Sequence, residues 1–417
     1  MVVTPGLGVR AEARCRELSR PPYSEDENAL TRTYLTPAHR AAMDRIAGWM
    51  RDAGMQVRED QAATLIGRLE GGAPGLPALM FASHIDRVRY AGCYDGPLGV
   101  MLGLACVEAL VATGRPLPFA VEVVAFGDEE GSRFQASMNA SRAFAGRLGE
   151  VKLDVRDREG VTLADALIAF GRDPSRIGTA VRDSGAVLAF VEPHIEQGPV
   201  LEAAGAPLGV VTSIAGQWRL KVRFEGRAGH AGTTPMHLRA DALAAAAEAV
   251  VAIERVAREG PADLVATVGQ ISAKPGASNV IPGLAEMTVD VRAGTDAVRE
   301  EGLRQVEAAI NEVATRRAVK ARVERVQNLP ASRMDAGLQR LLKRAAETSG
   351  HTAPELVSGA GHDAMIVAGL APTAMLFIRC AGGVSHSPAE SVTPDDCEAA
   401  LRVLLTFIDL LAAEQPE

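Results

Sequence analysis

An α/β fold with a second, smaller α+β unit inserted into it is what this sequence predicts, and three observations predict it. At 417 residues the chain exceeds the usual span of one domain. Short apolar strands alternate with helices in the first half and again near the end, the rhythm of a mostly parallel sheet covered on both faces. Between about residues 214 and 328 this rhythm gives way to β-α-β-β-α-β, the order of a small split βαβ (ferredoxin-like) sandwich. The expected division is therefore a discontinuous main domain, residues 1–213 and 329–417, with an insert at 214–328.

The first strong element is PAHRAAMDRIAGWMRDA (37–53), an amphipathic helix. Thr36 can cap it, Pro37 suits its first turn, and Gly54 suits a left-handed stop. LPALMFAS (76–83) is strand-like and ends at His84. PLGVMLGLACVEALVAT (97–113) reads as a buried helix, followed by the buried strands FAVEVVAF (119–126) and AVLAFVEP (186–193). The insert reads as strand 219–226, helix 237–257, strands 264–272 and 285–293, helix 295–316 and strand 318–326. Helix 336–349, strand 373–380 and helix 394–413 resume the first pattern, with a frayed tail AAEQPE.

Composition narrows the function classes. A formal net charge of −8 opposes a nucleic-acid partner, which would want a basic face. No apolar run approaches the roughly 18 residues of a membrane span, and MVVTPGLGVRAEAR at the start has no long apolar segment of a signal peptide. Five scattered cysteines without C-x-x-C spacing argue against a disulfide framework and fit a reducing compartment, so a cytoplasmic location is expected.

Ligand sites in open α/β sheets form beyond the carboxyl ends of strands. Three apolar strands here run straight into metal-competent clusters: His84-Ile85-Asp86 followed by Tyr94-Asp95-Gly96; Gly127-Asp128-Glu129-Glu130-Gly131; and His194-Ile195-Glu196-Gln197-Gly198. A fourth strand leads to Gly382-Gly383-Val384-Ser385-His386-Ser387-Pro388. Each cluster alone is ordinary, since H-x-D is commonly a hydrogen-bonded pair and paired acids are commonly solvated. Jointly they are not. Five of the eight histidines (His84, His194, His230, His362 and His386) stand in Gly-rich or acid-rich loops. Three imidazoles with two or three carboxylates can hold two divalent cations, of the zinc or manganese type, about 3.5–4 Å apart. Alternation places Asp86 on the side of His84, where its carboxylate could fix the imidazole tautomer. His39, His237 and His351 fall on helices without a motif and read as solvated.

In this order the motifs resemble the M20 metallopeptidase-type amidohydrolases, and within them the branch of allantoate amidohydrolases and N-carbamoyl-L-amino-acid hydrolases. The resemblance runs from TRTYLTPAHR (31–40) to SHSPAESVT (385–393). It is most specific at HIEQGPVLE (194–202), GHAGTTPM (229–236), SNVIPG (278–283) and SGAGHDAM (358–365). It implies a di-metal hydrolase domain with an inserted lid that also forms a homodimer contact. It further implies His84, Asp95, Glu130, His194 and His386 as ligands of two Zn or Mn ions, with Asp95 bridging. Glu129 would be the general base and Asp86 the residue orienting His84, while Glu196 would not be a ligand. His230 would polarise the substrate carbonyl, and residue order leaves open which subunit's pocket it completes. Asn279 and Arg292 would hold a substrate carboxylate, and Gln197, Gly361 and Arg219 would make further substrate contacts. His362 and Asp363 are expected to order the His386 loop.

Histidine at 194, where the related peptidases commonly have an acid, points to the carbamoyl-cleaving branch. The expected substrate is a small ureido carboxylate: allantoate first, giving ureidoglycine, ammonia and carbon dioxide, and N-carbamoyl-L-amino acids as the runner-up. A peptidase is a third reading, and a metal-free binding protein of the same fold is the other class. All five ligand positions are filled, which favours the enzyme. Two departures stand out, Arg87 where such families commonly have Thr, and Cys93 two residues before Asp95, both expected at the pocket rim.

Overall fold

The structure, a computed structural model, describes residues 6–415. The described chain divides into two compact units. Ser213–Arg333 with Val357–Ala360 form the second, and the remaining described residues form the first.

The first unit opens with α1 (Leu7–Glu17), α2 (Pro37–Asp52), β1 (Gln56–Glu59), β2 (Leu65–Leu69), β3 (Ala78–His84), α3 (Pro97–Thr113) and β4 (Ala120–Phe126). Short helices α4 (Asn139–Phe144) and α5 (Leu163–Ala169) lead to β5 (Val187–Ile195), α6 (Val200–Ala203) and β6 (Leu208–Ile214). Thr36 caps α2 by accepting from the His39 N–H, Pro37 fills its first turn, and Gly54 takes the left-handed conformation. Helix α1 was not foreseen, because its run LGVRAEARCRE carries as many charged residues as apolar ones.

The second unit holds β7 (Gly216–Glu225), β8 (Gly229–His230), α7 (Ala242–Glu259), β9 (Val265–Lys274), β10 (Val280–Ile281), β11 (Leu284–Ala293), α8 (Asp296–Arg316), β12 (Lys320–Leu329) and β13 (Ser332–Arg333). Strands β12-β7-β11-β9 form one antiparallel sheet in that order. Strict alternation along β11 puts Ala285, Met287, Val289 and Val291 into a core shared with α7 and α8. Helix α7 starts five residues later than the periodicity predicts. Asp241 caps it through two backbone N–H groups, and His237 lies exposed in a short 3-10 turn before it.

The chain returns through α9 (Ala336–Thr348), β14 (Glu355–Ser358), α10 (Ala364–Val367), β15 (Thr373–Ile378) and α11 (Pro394–Ala413). Pro416 and Glu417 of the expected frayed tail, and the first five residues of the chain, lie outside the described residues. No helix among the described residues is long and apolar enough to cross a membrane.

Four strands at the centre of the large sheet, β4-β3-β5-β15, are parallel; their flanks β1, β2 and β6 pair antiparallel. Every residue of β3 and β4 is buried, which explains their unbroken apolar runs. The parallel register matters most for function. His84 stands opposite Phe126, and His194 stands opposite Phe377, so four strands end at the same edge of the sheet.

His39 is not solvated. It is fully buried between Tyr34 and Phe170, and its Nδ1 accepts the Leu35 N–H at 3.1 Å. Burial pushes this imidazole down to about 3, so the folded chain keeps it neutral while the unfolded chain protonates near 6.5. Its stabilising contribution is complete above about pH 6.5 and falls as pH drops toward 3, at up to about 1.4 kcal/mol per pH unit. His39→Gln should flatten the loss of stability between pH 6 and 4 in urea unfolding. An unchanged slope would exclude His39 as a source of acid sensitivity.

Candidate metal centre

Loops leaving β3, β4, β5 and β15 bring the predicted ligands of the first unit together. His84 Nδ1 lies 3.1 Å from the carbonyl oxygen of Asp86, and His194 Nδ1 lies 2.9 Å from that of Ile195. A carbonyl can only accept, so both Nδ1 atoms carry a hydrogen, and in the neutral imidazoles both Nε2 atoms present lone pairs. Those two Nε2 atoms are 3.4 Å apart and lie 3.5 Å and 3.2 Å from Asp95 Oδ1. Three electron-pair donors thus face one point, buried, and although burial opposes it, Glu129, Asp86 and Asp95 hold the His84 imidazole well above its usual range, so the point attracts positive charge. Such an arrangement is repulsive unless a cation sits among the donors. A divalent ion with imidazole and carboxylate ligands fits this donor set.

A second set lies beside it. His386 Nε2 is 3.3 Å from Asp95 Oδ2 and 3.3 Å from Glu130 Oε2. Asp95 therefore turns one oxygen toward each set. Gly96 makes this possible. It begins α3 at φ +84°, and a Cβ there would lie 2.5 Å from the His84 ring. Burial opposes ionisation of Asp95, yet Arg87 and then the imidazoles hold its carboxyl well below the usual range.

Glu129 is buried beside these groups, its Oε2 3.9 Å from His84 Nε2. Burial foremost, then Glu130, Asp363 and Asp86, push its carboxyl well up against the opposing effect of His84. Geometry alone also allows His84, Glu129 and Glu130 to share an ion. Of the three carboxylates within 4.0 Å of the His84 ring, Glu129 is the farthest, which separates it from Asp95. Asp86 binds the acidic loop as well as His84. Its two oxygens accept from the Glu129 and Glu130 N–H groups at 3.1 and 3.2 Å. The His84 tautomer is set more closely by the Asp86 carbonyl, since the carboxylate is 3.5 Å away. Three residues at the centre, Asp128, Gln197 and His386, hold positive φ without being glycine, a strain of about 1–3 kcal/mol each.

Several residues behave differently from expectation. Arg87 is not at a rim: it is fully buried, 2.9 Å from Asp95 Oδ2 and 3.3 Å from Glu130 Oε1. Burial alone would lower its guanidinium, but Asp95, Glu390 and Glu130 raise it. Cys93 is partly buried, and its thiol is pushed up to about 12, chiefly by burial; all five cysteines are free. His362 packs its ring against His194, with centroids 4.4 Å apart, as well as against Phe377. Gln197 donates from Nε2 to Asp95 Oδ2 at 2.9 Å and to Ser385 at 3.2 Å. Glu196 caps the turn into α6 by accepting from Val200 and Leu201. Gly361 has Met138 Cε 3.1 Å from where a Cβ would stand.

In the second unit, β8 pairs with β10 so that His230 faces Val280, and Asn279 accepts the Ala231 N–H at 2.9 Å. His230 and Asn279 are both exposed. Arg292 makes a two-pronged contact with Asp290, at 2.8 and 3.2 Å, and reaches the Gly359 carbonyl at 2.5 Å. Arg219, opposite Asp290 on the neighbouring strand, shares the same carboxylate at 3.3 Å.

Of four further acids at these sites, sequence reasoning singled out only Asp363, for the His386 loop. Glu390 is buried and accepts from the Tyr94 and Asp95 N–H groups, pinning the loop that carries Asp95. Glu192 and Asp363 lie buried behind His194 and His362, where burial foremost pushes them up to about 8 and about 7. Asp290 is the fourth. A signal existed for Glu192, an acid inside an apolar strand two residues from His194.

Three comparisons bear on this geometry. The sequence signature of peptidase family M20/M25/M40 matches residues 75–410. The chain is 42% identical to an N-carbamoyl-L-amino acid amidohydrolase of Geobacillus stearothermophilus, covering 93% of this chain and 95% of the relative. It is also 42% identical to a probable allantoate deiminase of Oryza sativa subsp. japonica, covering 96% and 88%. The crystal structure of an amidase of the hydantoinase/carbamoylase family from Burkholderia multivorans superposes with a TM-score of 0.90 at 33% identity, over 98% of both chains. Matched end to end in sequence and fold, the chain belongs to peptidase family M20/M25/M40, in the branch of allantoate and N-carbamoyl-L-amino acid amidohydrolases.

Proposed function

We propose that this hydrolase is a two-ion amidohydrolase that cleaves the ureido C–N bond of a small carboxylate, with allantoate as its substrate. The observation that carries the reading is the buried meeting of His84 Nε2, His194 Nε2 and Asp95 Oδ1, three electron-pair donors, beside Glu129.

His84, His194 and Asp95 would hold one ion, and Asp95, Glu130 and His386 the other. Ions of the zinc or manganese type supply a water acidified toward neutral pH and a polarised carbonyl. Glu129 takes a proton from the attacking water and returns it to the departing nitrogen. Its raised carboxyl suits it to hold that proton between the two steps. Asp86 holds His84 and the 129–130 backbone in place. Gln197 is positioned by Asp95, and its amide oxygen, buried and unpaired, is available to a ureido N–H.

The second unit is read as a split βαβ lid and homodimer contact, residues 214–328 inserted between 1–213 and 329–417. Arg292 and Asn279 are assigned the substrate carboxylate, and His230 the scissile carbonyl. Two guanidinium groups on the single carboxylate of Asp290 leave surplus positive charge, which supports an anionic substrate. Val265 and Ile271, exposed on the edge strand β9, support a subunit contact there. Five free cysteines fit a reducing, cytoplasmic setting.

N-carbamoyl-L-amino acids are the second reading, favoured by the 42% identity to the Geobacillus relative. Turnover of both substrate types by the manganese- or zinc-loaded enzyme tests the choice. Allantoate is expected to lead in kcat/KM by at least about tenfold. The reverse ranking assigns the chain to carbamoyl amino acids, and no turnover of either sinks the ureido reading.

A further inference from the structure

We propose that Arg87 is a fixed positive charge built into the second cation position. The chain would then bind one divalent ion firmly, at His84, Asp95 and His194, and the other weakly, at Asp95, Glu130 and His386. This inference rests on the two-ion reading above.

The two oxygens of Asp95 have unlike surroundings. Oδ1 meets only the imidazole Nε2 atoms of His84 and His194 among its ion-pair contacts within 4 Å in the described residues. Oδ2 accepts from Ser385 Oγ at 2.8 Å and Gln197 Nε2 at 2.9 Å, and Arg87 Nη1 lies 2.9 Å from it as an ion pair. A carboxylate oxygen offers about two lone-pair directions, so these two donors already fill it, with the guanidinium charge beside them. A cation reaching Oδ2 has to displace at least one of them. Arg87 also lies 3.3 Å from Glu130 Oε1, so a single guanidinium touches two of the three groups that would hold the second ion.

Neither withdrawal nor neutralisation of Arg87 is easy. The side chain is fully buried and bonds the Asp95 carbonyl at 2.5 Å and Glu390 Oε2 at 3.4 Å. Glu390 in turn is held by the Tyr94 and Asp95 N–H groups, so the guanidinium is clamped from behind. Guanidinium stays protonated at any working pH. Buried charge is poorly screened, so its repulsion of an incoming cation acts at nearly full strength. The first position is less affected, because among the described residues the side chain of Arg87 bonds Asp95, Glu130 and Glu390 and neither His84 nor His194.

The test is a zinc titration of the chelator-stripped full chain, followed by calorimetry, with metal content measured after equilibrium dialysis. Two steps are expected, the second at least about tenfold weaker in Kd, with about one ion kept after dialysis. Arg87→Ser should tighten the second step at least about tenfold and retain about two ions. Arg87→Lys keeps the charge but loses the fork, and should leave the second step weak. A role confined to packing would not separate these two variants. Two equal steps in the unaltered chain overturn the inference and leave the two-ion reading standing, and need no variant to fold. Equal second steps in all three proteins also overturn it. A chain that binds no zinc overturns the two-ion reading itself, and this inference with it.

Discussion

Replacing Glu129 by glutamine is expected to lower kcat by about 10²–10⁴ while the metal content of the protein stays unchanged. Glutamine keeps the shape of the side chain and its place beside His84, but it cannot take up a proton. The measurement has two readings because the geometry permits two roles. His84, Glu129 and Glu130 lie close enough to share an ion, whereas Glu129 Oε2 stands 3.9 Å from His84 Nε2, farther than Asp95. A fall in rate with metal retained identifies a base. Loss of metal together with rate would make Glu129 a ligand and leave the base unassigned. Near-normal turnover would remove it from the chemistry altogether.

The second large effect is expected at Asp95. Its Oδ1 faces His84 and His194, and its Oδ2 faces His386, so one carboxylate serves both positions. Asp95→Asn should leave no ion bound after dialysis and lower activity by several kcal/mol, on the order of a thousandfold or more in rate. The asparagine variant is preferred to alanine because Arg87 is buried against this side chain, and an amide oxygen keeps a polar partner at the place where alanine would leave none. Retention of an ion by a folded Asp95→Asn protein would rule out the shared-ligand geometry.

Much of the centre was legible because its proposed ligands follow a positional rule. Each stands where a buried apolar run ends, and apolar runs are visible in a sequence. His84, Glu130, His194 and His386 all obey it. Asp95 was found through the turn preceding the buried helix that starts at Pro97. Residues that hold these ligands follow no such rule. Glu390 reaches the Asp95 loop from nearly 300 residues away in the chain. Asp290 is an ordinary acid in an alternating strand until its partners Arg219 and Arg292 are seen on either side of it. His39 looked solvated because its helix is amphipathic, but its ring falls on the buried face.

Local order therefore determined the elements, their alternation and the chemical types at the strand ends. Hydrophobic periodicity and capping act over a few residues, and those residues are adjacent in the chain. What tertiary structure alone decided is which oxygen faces which nitrogen. Parallel pairing of β3, β4, β5 and β15 puts four distant loops on one sheet edge, and only there does Arg87 meet Asp95 and Glu130. Whether a buried arginine neutralises two ligands or lines a rim depends on distances of about 3 Å, which spacing along the chain does not encode.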